Sequence, residues 1–144
     1  MGDEAKNKEV VRKIEDAWGS NKVDALDQYF APNFNNHTGM PGIPPGLASA
    51  KMAHGGAMAA FPDRKEQVLD MAAEGDRVFV RTRITGTCKG PAPWFGVMSG
   101  NGRTIDFESW MCYRLANGKV VESWGINDGL LGMLPLGTVQ PPKM

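Results

Sequence analysis

Residues 103–127, RTIDFESWMCYRLANGKVVESWGIN, contain two β-strand patterns separated by an Asn-Gly pair. Type I′ hairpin turns favour Asn117-Gly118, because both central residues of that turn need positive φ. Before the pair, every second side chain shares one face of the pattern, namely Ile105, Phe107, Ser109, Met111 and Tyr113. The stretch therefore predicts an antiparallel hairpin with strands over Arg103–Leu115 and Lys119–Asn127.

Further strands are predicted on the N-terminal side of this hairpin. Arg77–Thr87 is rich in β-branched residues that alternate with polar ones, and Gln67–Ala73 is a shorter candidate. Gly75-Asp76 between them is typical of a turn. Phe34–Thr38 is a candidate for one more short strand.

Helical patterns occupy the rest of the chain. Apolar residues at three- and four-residue spacing predict helices over 4–19 and 47–60, and a final turn over Gly129–Leu134. A short helix is predicted after Asn21, ending at Pro32. Helices segregated from hairpin-connected strands predict an α+β fold. We expect a strongly curved antiparallel or mixed sheet, with three helices on one face that enclose a cone-shaped pocket.

Length and composition exclude several classes of function. The chain has 144 residues, and we expect a single domain over residues 1–144. Sixteen Lys and Arg balance sixteen Asp and Glu, which leaves no cationic excess for a nucleic-acid partner. No run approaches 18 apolar residues, and the N-terminal residues lack the apolar segment of a secretion signal. With two cysteines, the composition favours a cytoplasmic protein without a disulfide scaffold.

Asp128 is the first candidate for a catalytic group. In a regular strand, Val120, Glu122, Trp124, Ile126 and Asp128 would share a face, which places a carboxylate at the end of an apolar surface. Burial there would raise its pKa and make it a general base. The alternative is that Asp128 caps the helical turn that begins at Gly129. The two roles are compatible.

His37 is the second candidate, because an imidazole before the Gly- and Pro-rich loop could polarise a carbonyl or relay a proton. His54, in the Ala- and Met-rich helix, is a weaker one. Cys88 could line a pocket. The two His and two Cys are dispersed, and neither a zinc spacing nor a nucleotide-binding loop is present, so we expect no metal or cofactor.

The order and spacing of several runs resemble the SnoaL-like polyketide cyclases, or ester cyclases. The runs are Ala60–Asp63, Ala73–Arg81, Thr85–Thr87, Tyr113–Trp124, Asp128 and Leu136-Gly137. The resemblance implies the cone-shaped fold of the nuclear-transport-factor superfamily. It also implies a cofactor-independent intramolecular aldol cyclisation, with Asp128 as the acid/base carboxylate and His37 as the early family histidine. Many relatives have His after the Gly-Thr pair, where this chain has Cys88.

These observations lead to one principal hypothesis, an acid/base enzyme in which Asp128 and His37 act on a hydrophobic carbonyl or ester substrate. The residues expected to bind that substrate are Trp18, Phe61, Cys88, Met111 and Trp124. The alternatives are a binding or dimerisation module without catalysis, and isomerase or epoxide hydrolase chemistry, the latter with Asp128 and Asp106 bridged by an Arg. We expect a homodimer or homotetramer that binds neither nucleic acid nor membranes.

Overall fold

Within residues 3–144, the part of the chain that the computed structural model describes, five strands form one strongly curved, open sheet. The helices are α1 (Asp3–Gly19), α2 (Leu47–Ala60) and α3 (Gly129–Leu136), with 3₁₀ turns at Val23–Gln28 and Pro93–Phe95. The strands are β1 (Phe30–Asn36), β2 (Lys65–Glu74), β3 (Arg77–Thr87), β4 (Thr104–Ala116) and β5 (Lys119–Asn127). The expectation of an N-terminus without a secretion signal includes Met1 and Gly2, which lie outside the described residues.

The sheet is mixed, and its order is β1-β5-β4-β3-β2. Strands β2 to β5 are antiparallel neighbours, whereas β1 pairs in parallel with β5. The hairpin turn is confirmed, since Asn117 and Gly118 have φ of 52° and 76°. The predicted α+β class is therefore correct. No helix in the described part of the chain is long and apolar enough to span a membrane.

The helices pack on one face of the sheet, which we call the inner face. Val78 and Val80 of β3 are buried there against Val11 and Ile14 of α1. A second cluster joins the end of α2 to α3 and to the 3₁₀ turn at Pro93–Phe95, and it contains Phe61, Ile84, Cys88, Phe95, Phe107 and Leu136. The residues between the buried ones on these strands point to the opposite side of the sheet, which we call the outer face.

The segment before β1 differs from the prediction. Residues 23–28 form a 3₁₀ turn instead of an α-helix that continues to Pro32, and the strand begins earlier, at Phe30. Pro32 is compatible with β1 because this strand lies at the edge of the sheet, where a missing N–H need not break a ladder.

An irregularity in β5 changes which side chains share a face. Leu115 pairs with Val120, but Arg114 pairs with Glu122, so Val121 is an additional residue. Such a bulge reverses the alternation of the residues that follow it. The expectation that Val120 shares a face with Glu122 and Trp124 is therefore wrong: Val120 is buried in the inner core, and the other two lie on the outer face.

Candidate functional site

Asp128 is exposed and caps α3. Its Oδ1 accepts a hydrogen bond from the backbone N–H of Leu131, at 3.1 Å. The capping interpretation is confirmed, and the expectation of a buried carboxylate at the end of an apolar face is wrong. The physical reason is the bulge in β5, which the regular alternation did not include.

His37 lies with residues of the outer face. Its Nε2 is 3.0 Å from Oε1 of Glu122, and its ring stacks on Trp124 with 4.8 Å between centroids. Arg114 also binds Glu122, and these two partners lower the pKa of the Glu122 carboxyl, with Arg114 the larger cause. The guanidinium of Arg77 also lies over the Trp124 ring, 5.3 Å from its centroid. The surroundings of His37 are thus a polar surface cluster.

The five residues expected to bind substrate are dispersed. Phe61 and Cys88 are fully buried in the second core cluster and present no surface to a ligand. Trp124 lies on the outer face. Of the five, only Trp18 and Met111 are half-buried, and both pack against the first core cluster on the inner face.

The carboxylates considered for hydrolysis also lie apart from the inner face. Asp106 points outward between the inward Ile105 and Phe107, and both its oxygens accept hydrogen bonds from Arg83, at 2.8 and 2.5 Å. Asp128 instead binds the backbone of α3. Among the described residues, Arg83 binds Asp106, while the recorded side-chain hydrogen bond of Asp128 is the one to the backbone of α3.

A different group of ionisable side chains meets on the inner face. Glu15 projects from α1 into the core, where the hydroxyl of Tyr113 donates a hydrogen bond of 3.0 Å to its Oε1. Glu66, on the inner side of β2, binds Arg64 with 2.5 Å between Oε1 and Nη1. We call Glu15, Arg64, Glu66 and Tyr113 the inner carboxyl cluster.

Burial controls the protonation of Glu15. Loss of solvent raises the pKa of its carboxyl to about 8, and the neighbouring charge of Glu66 acts in the same direction. Burial, and then the proximity of Glu15, also raises the pKa of the Tyr113 hydroxyl. Glu15 is therefore a neutral carboxylic acid at pH 7 that can donate a proton.

A neutral histidine lies beside this cluster. Burial lowers the pKa of His54 to about 4, and the charge of Arg64 contributes to the same effect. The imidazole packs against Trp18, with 5.0 Å between ring centroids. Its Nε2 and the Oε2 of Glu66 are buried without a hydrogen-bond partner. Buried polar atoms normally have a partner, so these two are exceptions in the interior beside the cluster.

The cluster opens into clefts at the C-terminal end of α1. One has a volume of about 460 Å³ and is lined by Glu15, Asp16, Gly19, Ser20, Glu66 and Val68. The other, of about 500 Å³, shares Gly19 and Glu66 and includes Arg64. These volumes lie in the range of small-molecule sites. Both clefts lie at the edge strand β2, and Asp128 lines neither of them.

The sequence contained one signal for this site that the prediction missed. Glu15 follows Val11 by four residues and precedes Trp18 by three, so it belongs to the apolar stripe of α1. A carboxylate in such a stripe is unusual. The alternation places Tyr113 on the same face of the strand as Ile105 and Phe107 without saying which face is inner, and nothing in the spacing distinguishes Arg64 and Glu66 from an ordinary strand end.

Among the described residues, no three His, Cys, Asp or Glu side chains are grouped so that they could hold a metal ion. The inner cluster has two carboxyl groups, and one of them is neutral at pH 7. The arrangement can therefore donate a proton from Glu15, and it can accept one at Glu66 beside a guanidinium.

Comparison with known proteins identifies the family. The model of the SnoaL-like polyketide cyclases matches residues 8–134. A candidate SnoaL-like polyketide cyclase of Jannaschia sp. CCS1 is 25% identical, with a TM-score of 0.82 over 98% of this chain and 97% of that one. AclR of Streptomyces galilaeus, a candidate hydroxylase, is also 25% identical, with a TM-score of 0.76 over 92% of this chain and 99% of that one.

TsrD of Streptomyces laurentii has the same fold at 19% identity, with a TM-score of 0.83 over 96% of this chain and 100% of that one. No curated protein has significant sequence similarity to the chain. Relatives with cyclase and hydroxylase descriptions show that the family model defines a class of function and not one reaction. The match covers most of the sequence, and the chain belongs to the SnoaL-like polyketide cyclase family.

Proposed function

We propose that this chain is a cofactor-independent acid/base enzyme that cyclises a hydrophobic carbonyl or ester compound, with the inner carboxyl cluster as its catalytic group. The observation on which this rests is a buried neutral acid, Glu15, next to an ion-paired carboxylate, Glu66, at one cleft. Two carboxyl groups with different environments are a common arrangement for an acid and a base in one site. Family membership supports the reaction class.

The proposed reaction begins with proton abstraction. Glu66 takes a proton from a carbon that lies between two carbonyl groups, and the negative charge moves onto an enolate oxygen. Arg64, 2.5 Å from the other oxygen of Glu66, is close enough to stabilise that charge. The proton goes to Oε2 of Glu66, which is buried and has no hydrogen-bond partner in the structure.

Ring closure and proton return complete the proposed cycle. The enolate carbon attacks a second carbonyl of the same molecule, a carbon–carbon bond forms, and an electron pair moves onto the carbonyl oxygen. Glu15 donates its proton to that alkoxide, and the proton on Glu66 restores Glu15 through solvent. The product is an isomer of the substrate, so the reaction needs no oxidant, reductant or co-reactant.

Matched amide variants test this proposal. The assay is a panel of aromatic β-keto esters, with chromatography to detect a product of unchanged mass and mass spectrometry to detect deuterium uptake at the acidic carbon. Glu15→Gln and Glu66→Gln should each lower kcat about 10²- to 10⁴-fold, the usual contribution of general acid/base catalysis. Asp128→Asn is the control, because Asn is an equally good cap, and it should retain activity.

The opposite pattern would refute the assignment. If Asp128→Asn abolished turnover while Glu15→Gln retained it, the exposed cap residue and not the buried acid would be catalytic. Circular dichroism of each variant separates loss of chemistry from loss of fold.

One observation favours the second candidate, a binding module without catalysis. Residues expected to line an enclosed cone, such as Phe61, are instead packed in the core, and both clefts lie at the surface. Such a module would bind β-keto esters without deuterium uptake, and Glu15→Gln would change affinity only.

A further inference from the structure

Helix α2 packs on the inner face through one polar side chain. Within α2, which the structure describes throughout, only His54 and the terminal Ala60 are buried, and His54 is 7% exposed. Met52 of the same helix is 78% exposed, so this large apolar side chain does not serve the core. A buried imidazole is unusual on the inward side of a helix, where apolar residues are the rule. The middle of α2 is thus held to the inner face by His54.

The surroundings of His54 belong to the inner carboxyl cluster. Its ring packs against Trp18 of α1, and the charge of Arg64, which directly precedes β2, acts on it. Arg64 is also the ion-pair partner of Glu66. Nε2 of His54 and Oε2 of Glu66 are both closed to solvent, and neither has a hydrogen-bond partner in the described part of the chain. Such atoms are uncommon in folded proteins and require an explanation.

The two ends of α2 are attached differently. At the C-terminal end, the carbonyl oxygen of Ala60 accepts hydrogen bonds from the backbone N–H groups of Lys89 and Gly90, at 2.8 and 3.2 Å. At the N-terminal end, α2 follows residues 39–45, which are all exposed, and its N-cap is Gly46, which has no side chain that could cap the helix. The C-terminal end is therefore the fixed one.

Two glycines lie between this fixed end and His54. A Cβ added at Gly55 would meet no atom within 4 Å, and one at Gly56 would be in ordinary contact with Trp94, at 3.8 Å. Neither glycine has a positive φ. Both therefore weaken the helix without being required by space or by backbone conformation. Since elements with few buried apolar contacts open most readily, residues 47–54 are the part of α2 that moves at the least cost.

We propose that residues 47–54 open as a lid over the inner carboxyl cluster, and that Nε2 of His54 donates a hydrogen bond to a carbonyl oxygen of the ligand that enters. Opening admits the ligand to Oε2 of Glu66, which is closed to solvent in the structure. For the class of ligand, a β-keto ester, the inference rests on the proposed function. The carbonyl oxygen lies between His54 and Arg64, and it is the oxygen that gains negative charge when the proton leaves.

The neutral state of His54 suits this role. Burial, and then the charge of Arg64, lowers the pKa of the imidazole to about 4, so at pH 7 only one ring nitrogen carries a hydrogen. We assign that hydrogen to Nε2, because the guanidinium nearby favours a ligand oxygen of negative character over a ligand N–H or O–H group. A donor that is in place before charge develops stabilises the transition state more than the ground state.

Nitrogen NMR of the imidazole rings tests the contact with the ligand. The chain has two histidines, so His37 on the outer face is an internal control. The probe is the α,α-dimethyl derivative of ethyl benzoylacetate, an aromatic β-keto ester that has no proton between its carbonyl groups and therefore binds without enolising. It should shift the Nε2 resonance of His54 and leave the resonances of His37 in place. A His54 resonance that stays in place at every probe concentration would overturn the proposal.

Variants of His54 separate hydrogen bonding from packing. His54→Leu removes the donor and should lower kcat for deuterium uptake about 10²-fold, as the loss of one oxyanion donor does, with a smaller change in KM. His54→Gln keeps an N–H donor and should recover part of that loss, which a purely structural role does not predict. His37→Leu is the matched control and should keep the wild-type kcat. Equal losses in the two His54 variants would overturn the role of the donor.

The lid is tested by a stiffer α2. The double variant Gly55→Ala with Gly56→Ala should slow hydrogen–deuterium exchange of residues 47–54 up to about 30-fold, because each alanine stabilises the closed helix. It should slow association of the probe, followed by tryptophan fluorescence, by the same factor. An unchanged association rate would overturn the lid.

These measurements distinguish the inference from the proposed function. Deuterium uptake that requires Glu15 and Glu66 but survives His54→Leu would leave the proposed function intact and refute the role of His54. A shift of the His54 resonance without deuterium uptake from any ester would confirm the contact with the ligand and refute the proposed catalysis.

Discussion

The carboxyl group of Glu15 lies in the apolar stripe of α1, at helical spacing from Val11, Ile14 and Trp18. A leucine at this position would bury apolar surface, whereas the acid loses its solvation and remains neutral at pH 7. The folded protein is therefore less stable with Glu15 than it would be with leucine at this position, which is common where a side chain serves a function. Sequence spacing alone could indicate the unusual stripe but not the Tyr113 and Glu66 neighbours, because these come from distant strands.

Stability against pH follows from the protonation of Glu15. Its pKa is about 8 in the fold and 4.5 in an ordinary setting, so between these values the folded protein holds a proton that the unfolded chain has lost. Stability from this group therefore falls as pH rises from 4.5 to 8. His54, with its pKa lowered from 6.5 to about 4, has the opposite effect below pH 6.5. Of these two groups, only Glu15 therefore changes the stability between pH 6.5 and 8.

We expect the free energy of unfolding to fall by up to about 1.4 kcal/mol for each pH unit over that interval. Urea titrations at pH 6.5, 7.25 and 8 measure it. Glu15→Gln should flatten the curve, because the amide does not ionise. A variant that kept the wild-type slope would show that another group titrates there.

At the scale of elements, most helices and strands could be predicted because their patterns are local. Leu47–Ala60, Arg77–Thr87 and Lys119–Asn127 have the expected bounds. The additional residue Val121 could not be predicted, since a β-branched residue suits a regular strand and a bulge equally well. A one-residue change in register moves every later side chain to the other face. For this reason the single residue Val121 made the predicted environment of Asp128 wrong.

The hairpin between β4 and β5 depends on the backbone of its turn. Gly118 has φ of 76°, a conformation that L side chains rarely adopt, and a Cβ there would meet no neighbour within 4 Å. Gly118→Ala should therefore cost about 1–2 kcal/mol through backbone strain alone. Thermal and urea unfolding measure this loss.

Gly55 provides the control for that substitution. It lies in α2, where an added Cβ would meet no neighbouring atom within 4 Å, and its φ is not positive. Gly55→Ala should raise stability by up to about 1 kcal/mol, because alanine is the better helix former. Equal effects at the two positions would contradict the argument from backbone strain.

At the scale of the whole molecule, the alternation of side chains along the strands separates two surfaces whose residues are neighbours in sequence. On β4, Tyr113 contacts Glu15 on the inner face, and the adjacent Cys112 lies on the outer face, paired with Trp124. Substitutions without shared partners add within about 0.5 kcal/mol. We therefore expect substitutions on the two faces to act independently on stability. Trp110→Lys on the outer face should keep the wild-type fall in stability between pH 6.5 and 8.

A double variant completes this prediction. Glu15→Gln should abolish the pH dependence in the wild-type and in the Trp110→Lys background alike, because no contact of its side chain reaches the outer face within residues 3–144. Urea titrations of the two single variants and the double variant at pH 7 should give changes in the free energy of unfolding that add within about 0.5 kcal/mol. A departure from additivity of about 1.5 kcal/mol, as residues in contact can show, would mean that the sheet transmits strain between its faces.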